Sequence, residues 1–340
     1  MESKPKDVIL SGMRPTGRLH LGHYEGALKN YLAYQEKAAC FFMVADWHAL
    51  TSEYAQPGEI ARLTRELVVD WLAVGLDPER AVLFVQSDVA EHAELYVILG
   101  MLTPLAWAER CPTYKEQQQE IRDRDLSTYG FLGYPILQAA DILLYRATQV
   151  PIGQDQLPHV EMTREIARRF NHLYGEDVLP EPASVLTPSP RLPGLDGRKM
   201  SKSYGNTLDL ADETDALAKK VMRMYTDPQK LRADTPGHPD HCVVLAYYRL
   251  YRPGEAPAIE AACRAGRQGC VACKRGLVPV LDEVIGPIRA RRAALAGDPE
   301  RIESVLAQGR DAARRRGRET LARARKAMGW RRAPASEATP

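Results

Sequence analysis

Ser11-Gly12-Met13-Arg14-Pro15-Thr16-Gly17-Arg18-Leu19-His20-Leu21-Gly22-His23 follows the short apolar run Val8-Ile9-Leu10 and leads into an amphipathic pattern beginning at Tyr24. An apolar run, a Gly/Pro-rich turn and a helical period, in that order, predict a strand, a turn and the start of a helix. Such a junction suits phosphate. A helix N-terminus presents unpaired N–H groups and a partial positive charge, and glycine lets a ligand approach the backbone. Arg14, Thr16, His20 and His23 add side-chain donors. The same stretch equally fits an ordinary strand-to-helix turn carrying two solvent histidines, so the rest of the chain has to decide.

Outward from this turn, Tyr24 to Lys37 has helical spacing, and Cys40-Phe41-Phe42-Met43-Val44-Ala45 is a continuous apolar run of the kind buried on both faces in a central parallel strand. Ile60 to Val74 is helical again, and Val82-Leu83-Phe84-Val85 is a third strand. Alternation of strand and helix predicts an α/β fold with a doubly wound parallel sheet, whose ligands sit at the carboxyl ends of the strands. Ser11, Asp46 and Gln86 fall at such ends. Helices are expected at about 90–103, 136–145 and 159–171, with a short strand at Val150-Pro151-Ile152. A Pro/Gly-punctuated stretch from Pro180 to Gly197 ends in the polar loop Arg198-Lys199-Met200-Ser201-Lys202-Ser203-Tyr204-Gly205-Asn206. From Asp212 the pattern is helical almost throughout. The expected organisation is a catalytic domain at 1–207, an α-helical domain at 208–330 and a flexible tail at 331–340.

Composition sets limits. The 340 residues are 45% hydrophobic and 26% charged, as in an ordinary globular protein. No apolar run approaches the roughly 20 residues a membrane span needs, and no signal-peptide core follows Met1, so a cytoplasmic protein without a membrane segment is expected. The net charge of +2 hides an asymmetry, because Arg and Lys concentrate after about Cys263. That placement suggests a polyanion partner for the C-terminal part. Cys242, Cys263, Cys270 and Cys273 are spaced C-x20-C-x6-C-x2-C. Such a set suits tetrahedral zinc or an iron–sulfur cluster; spacing does not choose between them, and free thiols are a third reading.

His20-Leu21-Gly22-His23 resembles the HIGH motif of class I aminoacyl-tRNA synthetases, and Lys199-Met200-Ser201-Lys202-Ser203 matches their KMSKS motif letter for letter. Nearly the whole chain resembles the tryptophanyl-tRNA synthetases, on the opening turn, Ala45-Asp46-Trp47-His48-Ala49-Leu50-Thr51, the run Tyr134 to Leu143, and Val150-Pro151-Ile152-Gly153-Gln154-Asp155-Gln156. Gln138 and Gln154 depart from that pattern, where Met and Glu are usual. The resemblance implies a Rossmann-type catalytic domain and a homodimer. The implied reaction activates L-tryptophan with ATP and Mg2+, releases pyrophosphate, and transfers tryptophan to tRNA(Trp). A tyrosine-specific synthetase is the near alternative. A non-catalytic paralogue that binds tryptophan or RNA is another, although such a protein has no physical need for Lys199 and Lys202.

Roles follow from the resemblance residue by residue. Lys199 and Lys202 would meet the charge developing on pyrophosphate, with Thr16, His20 and His23 on the other side and Arg14, Gly22, Met200, Ser201 and Ser203 around the nucleotide. Gly153 and Asp155 would face ATP. Asp141 would accept the indole N–H, Tyr134 and Gln156 would take the ammonium, and His48 and Gln138 would line the pocket. A charge at Asp141, among Ala139-Ala140 and Ile142-Leu143-Leu144, is otherwise costly. The cysteine set resembles that of a bacterial subset with a [4Fe-4S] cluster in the anticodon-binding domain, whose first gap is two residues longer.

Overall fold

Val8-Ile9-Leu10 does form a strand, and the strand lies at the centre of the molecule. In a computed structural model of the protein, residues 7–112, 114–115, 125–175, 177–186 and 192–330 are described. The proposed tail at 331–340 and the Ser203 side chain fall outside them.

Strand β1 (Val8–Met13) leads into α1 (Leu21–His23), which passes through a π-helical turn (Tyr24–Leu28) into α2 (Lys29–Gln35). Then come β2 (Ala39–Val44), α3 (Asp46–Glu53), α4 (Pro57–Val74), β3 (Ala81–Val85), α5 (Glu91–Leu102) and α6 (Leu105–Glu109). After α7 (Tyr129–Leu144) follow β4 (Gln149–Ile152), α8 (Leu157–Tyr174) and β5 (Ala183–Leu186). The remainder is helical: α9 (Thr214–Met222), α10 (Val243–Tyr251), α11 (Ala256–Arg264), α12 (Cys270–Ala296) and α13 (Pro299–Ala327).

The five strands are parallel in the order β3-β2-β1-β4-β5. Chain direction across the sheet reverses beside β1, so the crevice at the carboxyl ends of β1 and β4 is the ligand position the topology dictates. Phe42, Val44, Leu83 and Phe84 are buried with almost no exposure, which is why β2 and β3 read as unbroken apolar runs. Strand β5 is absent from the sequence reading: Ala183-Ser184-Val185-Leu186 is half exposed at the edge and offers no apolar run.

The last helix returns to the sheet. α13 runs along the free edge of β3, and at Gly309 the approach is so close that a Cβ would overlap the Leu83 carbonyl oxygen. Its first half joins the core on one side of the sheet through Ile302, Val305 and Leu306, and its second half joins the other through Ala313, Leu321 and Ala324. Much of the basic run is tied up in this docking. Arg314 and Arg318 pair with Glu91, Arg325 pairs with Glu94, and Arg316 Nε donates to the Tyr145 carbonyl at 3.2 Å. No helix among the described residues is long and apolar enough to cross a membrane.

Candidate active site

Two chain segments far apart in sequence close on each other at the end of β1. The amide of Leu21 donates to the Leu208 carbonyl at 2.9 Å and that of Leu210 to Leu19 at 3.0 Å, which pins His20-Leu21-Gly22-His23 to the residues just after the Lys199–Ser203 loop. Asn206 organises that loop. It is buried, its amide donates to Asp196 Oδ1 at 2.7 Å and to the Lys199 carbonyl at 3.2 Å, and its oxygen accepts from Ser201 N at 2.8 Å. Met200 is buried facing Gly22, whereas the Lys199 side chain is exposed. Lys202 lies across the turn, and its Nζ donates to the Gly17 carbonyl at 2.7 Å. Gly17 has φ 142°, a backbone other residues rarely adopt, and a Cβ there would meet the Lys202 chain at 2.9 Å.

Burial governs the charges in this cluster. It lowers Lys202 to about 8, against the pull of Asp209 and Asp70. It also lowers His20 to about 4, with Lys202 adding to the effect, and holds His23 well below its ordinary value, with His20 and both lysines adding. The two rings lie 3.7 Å apart and are neutral near pH 7, so they act as hydrogen-bond donors and not as cations. Among the described residues His20 Nδ1 is buried without a hydrogen-bond partner.

Beside this cluster, a cavity of about 560 Å³ opens at the carboxyl ends of β1 and β4. Arg14, His23, Gly153 and Asp155 line one part of it. His48, Tyr134, Gln138, Asp141 and Gln156 line another. Thr16 and His20 belong to the adjoining turn and helix start, and Gln154 stands outside the lining. Tyr31 and Asn30 also face the cavity, and the Tyr31 hydroxyl is 2.7 Å from Ser11 Oγ. Neither Tyr31 nor Asn30 is conspicuous in the sequence, because each sits in an ordinary helical pattern.

Asp141 is 1% exposed on α7 and has three side-chain partners. Its Oδ2 is 2.7 Å from His48 Nε2, its Oδ1 is 2.7 Å from His92 Nδ1, and Gln86 Nε2 donates to the two oxygens at 2.8 and 3.0 Å. Burial alone would raise this carboxyl. The His92 and His48 contacts outweigh burial and hold it below the usual carboxylate range. Asp46 serves structure: Oδ1 accepts from the amides of Trp47 and Ser87, each at 3.0 Å, and joins the ends of β2 and β3.

The four cysteines converge on a second cavity, of about 330 Å³, between α10, α11 and α12. Among the described residues no group of three or more His, Cys, Asp or Glu is arranged to hold a metal ion. Two buried lysines, Lys230 and Lys274, stand in the same wall. Lys274 Nζ donates to the Met224 carbonyl and to Thr226 Oγ1, both at 2.6 Å, so it is an interior cation and not a solvent-facing one. Burial raises Cys263, Cys270 and Cys273, the last to about 12, which keeps the uncoordinated groups as thiols.

The sequence matches the family of tRNA synthetases class I (W and Y) over residues 2–285. It is similar to a tryptophan–tRNA ligase of Thermotoga maritima, at 47% identity over 323 residues that take in 94% of this chain and 98% of the relative. The fold is similar to a crystal structure of Campylobacter jejuni tryptophanyl-tRNA synthetase complexed with ADP and tryptophan: TM-score 0.87, 30% identity, 95% of this chain and 99% of that one. Tyrosyl-tRNA synthetase of Archaeoglobus fulgidus shares the fold alone, with a TM-score of 0.64 at 22% identity over 86% of this chain and 92% of that one.

Proposed function

We propose a division of labour among these residues from one premise: the chain belongs to the class I tRNA synthetases for W and Y. It is an ATP-dependent tryptophan–tRNA ligase. Tryptophan's carboxylate attacks the ATP α-phosphate, pyrophosphate leaves, and the activated amino acid passes to tRNA. Tyrosine as the substrate is disfavoured, since the tyrosine-specific neighbour is alike in fold only while the tryptophan-specific relative is 47% identical.

The observation that carries the amino-acid assignment is the buried Asp141 carboxylate in the cavity wall. An indole N–H is a donor without an acceptor of its own, and a fixed carboxylate beside an apolar wall matches it. Tyr134 and Gln156 take the ammonium. Gln156 Nε2 donates to Asp155 Oδ2 at 2.9 Å, so the two form one polar rim between amino acid and nucleotide. His48 and Gln138 close the indole side, and Gly153 leaves room for ATP. His20 and His23 donate to phosphate as neutral rings. The unpartnered His20 Nδ1 supports this role. Thr16, Arg14 and Gly22 shape the turn under the phosphates, while Lys199, Met200, Ser201, Lys202 and Ser203 close over them. Mg2+ accompanies ATP, held by the hard oxygens of its phosphates.

Asp141→Ala is expected to lower tryptophan-dependent ATP–pyrophosphate exchange about tenfold to a hundredfold, because indole N–H, His48, His92 and Gln86 all lose their acceptor. Exchange at the wild-type rate would remove Asp141 from the amino-acid site.

We further assign the four-cysteine cavity to a [4Fe-4S] cluster. All four cysteines line one cavity of about 330 Å³, and four thiolates around such a space suit a polynuclear cluster. Buried Lys230 and Lys274 offset the net negative charge that four thiolates bring. When bound, a cluster supplies a cross-link between Cys242 ahead of α10, Cys263 on α11 and Cys270 and Cys273 on α12. Protein purified without oxygen is expected to contain about four iron atoms per chain; iron-free protein with stoichiometric zinc would overturn the assignment. tRNA(Trp) contact falls to exposed basic residues such as Arg315, Arg323 and Lys326 of α13. The working unit is a cytoplasmic homodimer, which the exposed Val97, Met101, Leu105 and Tyr129 side chains support.

A further inference from the structure

His92 does not touch the cavity, yet it lies directly behind the group that reads the indole. It is fully buried in the first turn of α5, with Nδ1 2.7 Å from Asp141 Oδ1 and Nε2 2.7 Å from the Tyr145 hydroxyl. The Phe84 ring lies stacked beside it, 6.1 Å between centroids. Tyr145 is also without exposure, and its own backbone carbonyl is held by Arg316 from α13.

The proton positions follow from the partners. Burial, with Asp141 and Glu91 adding, holds the Tyr145 phenol well above its ordinary value, so the hydroxyl keeps its proton. Asp141 has no proton to donate in its ionised form. Tyr145 O–H donates to His92 Nε2, and the His92 N–H then lies on Nδ1, facing Asp141 Oδ1. The Nδ1 approach is close but oblique, since Nδ1 has no well-aligned hydrogen bond. His92 therefore acts on Asp141 as a contact that fixes position and opposes loss of its charge.

We propose that His92, with its tautomer fixed by Tyr145, is a positioning residue for amino-acid selection: it sets the Asp141 carboxylate so that a lone pair stays turned to the cavity for an indole N–H. This rests on Asp141 being the indole acceptor. A residue that merely filled the core would affect all substrates alike. One that positions Asp141 affects only substrates that carry the N–H.

The test is pyrophosphate exchange with tryptophan and with its benzothiophene isostere, in which sulfur replaces the indole N–H. The ratio of the two kcat/KM values is read for the full-length wild type, Asp141→Asn, His92→Leu, His92→Asn and Tyr145→Phe. His92→Leu is expected to lower the preference for tryptophan about tenfold, with the KM for ATP unchanged. Tyr145→Phe lowers the preference less, and His92→Asn, which keeps a donor near the Nδ1 position, recovers part of it. A preference unchanged in His92→Leu while it collapses in Asp141→Asn overturns the role of His92 and leaves Asp141 in place. A preference unchanged in Asp141→Asn overturns both. Should His92→Leu fail to fold, an unchanged preference in both His92→Asn and Tyr145→Phe overturns the proposal.

Discussion

Lys202→Ala is expected to slow tryptophan-dependent ATP–pyrophosphate exchange about a hundredfold to a thousandfold, the loss seen when one preorganised group facing developing charge is removed. Lys202 lies folded over the Gly17 turn with its ammonium on the Gly17 carbonyl, beside the neutral His20 and His23. Its burial disfavours the charge, which is why it titrates near 8 and not near 10.5. The sign for activity is then fixed. kcat/KM for ATP, which reports the free enzyme, declines as pH rises through about 8 and the ammonium is lost. Lys202→Arg keeps its charge over that range and shows no such decline. For stability the sign is opposite. The buried ammonium weighs against the folded chain below about pH 8, and that penalty fades between about 8 and 10.5. Lys202→Met is accordingly expected to raise the melting temperature of the ATP-free protein at pH 7 while it impairs exchange. Exchange in Lys202→Ala within a factor of two of wild type would end this account of the loop.

Gly309→Val is expected to cost about 3 kcal/mol or more in stability, seen as a fall in melting temperature of several degrees. The contact it violates is between backbones: the added Cβ would overlap the Leu83 carbonyl oxygen, and neither helix nor strand can swing aside as a flexible side chain would. Gly58→Ala, in the first turn of α4 with nothing within 4 Å of the added carbon, is the matched control and is expected to be neutral or slightly stabilising. A melting temperature for Gly309→Val equal to that of the control would mean that α13 does not bear on β3 in solution.

What the sequence disclosed depended on local contrast. Strands β2 and β3 stood out because each is apolar on both faces, and β1 because Val8-Ile9-Leu10 opens it. Asp141 stood out because it is a charge in an apolar helix. His92 is buried just as deeply, but its neighbours Glu91, Ala93 and Glu94 are those of an ordinary helix start, so nothing marks it. Gln86 and Asn206 matter only through partners that folding brings to them, Asp141 in one case and the Lys199–Ser203 loop in the other. The C-terminal arginines were legible as charge and not as contacts. In the run they form one polycation, yet Arg314, Arg318 and Arg325 reach carboxylates on α5, more than 200 positions earlier in the chain.

The position of α13 also orders events in time. β3 lies at one end of the sheet, and its edge is made more than 200 residues before the helix that covers that edge. An uncovered edge strand invites pairing with other chains. The nascent protein therefore carries an open template for misassembly while the more than 200 residues between β3 and α13 are being made, and a product that stops short of α13 is a hazard to its neighbours.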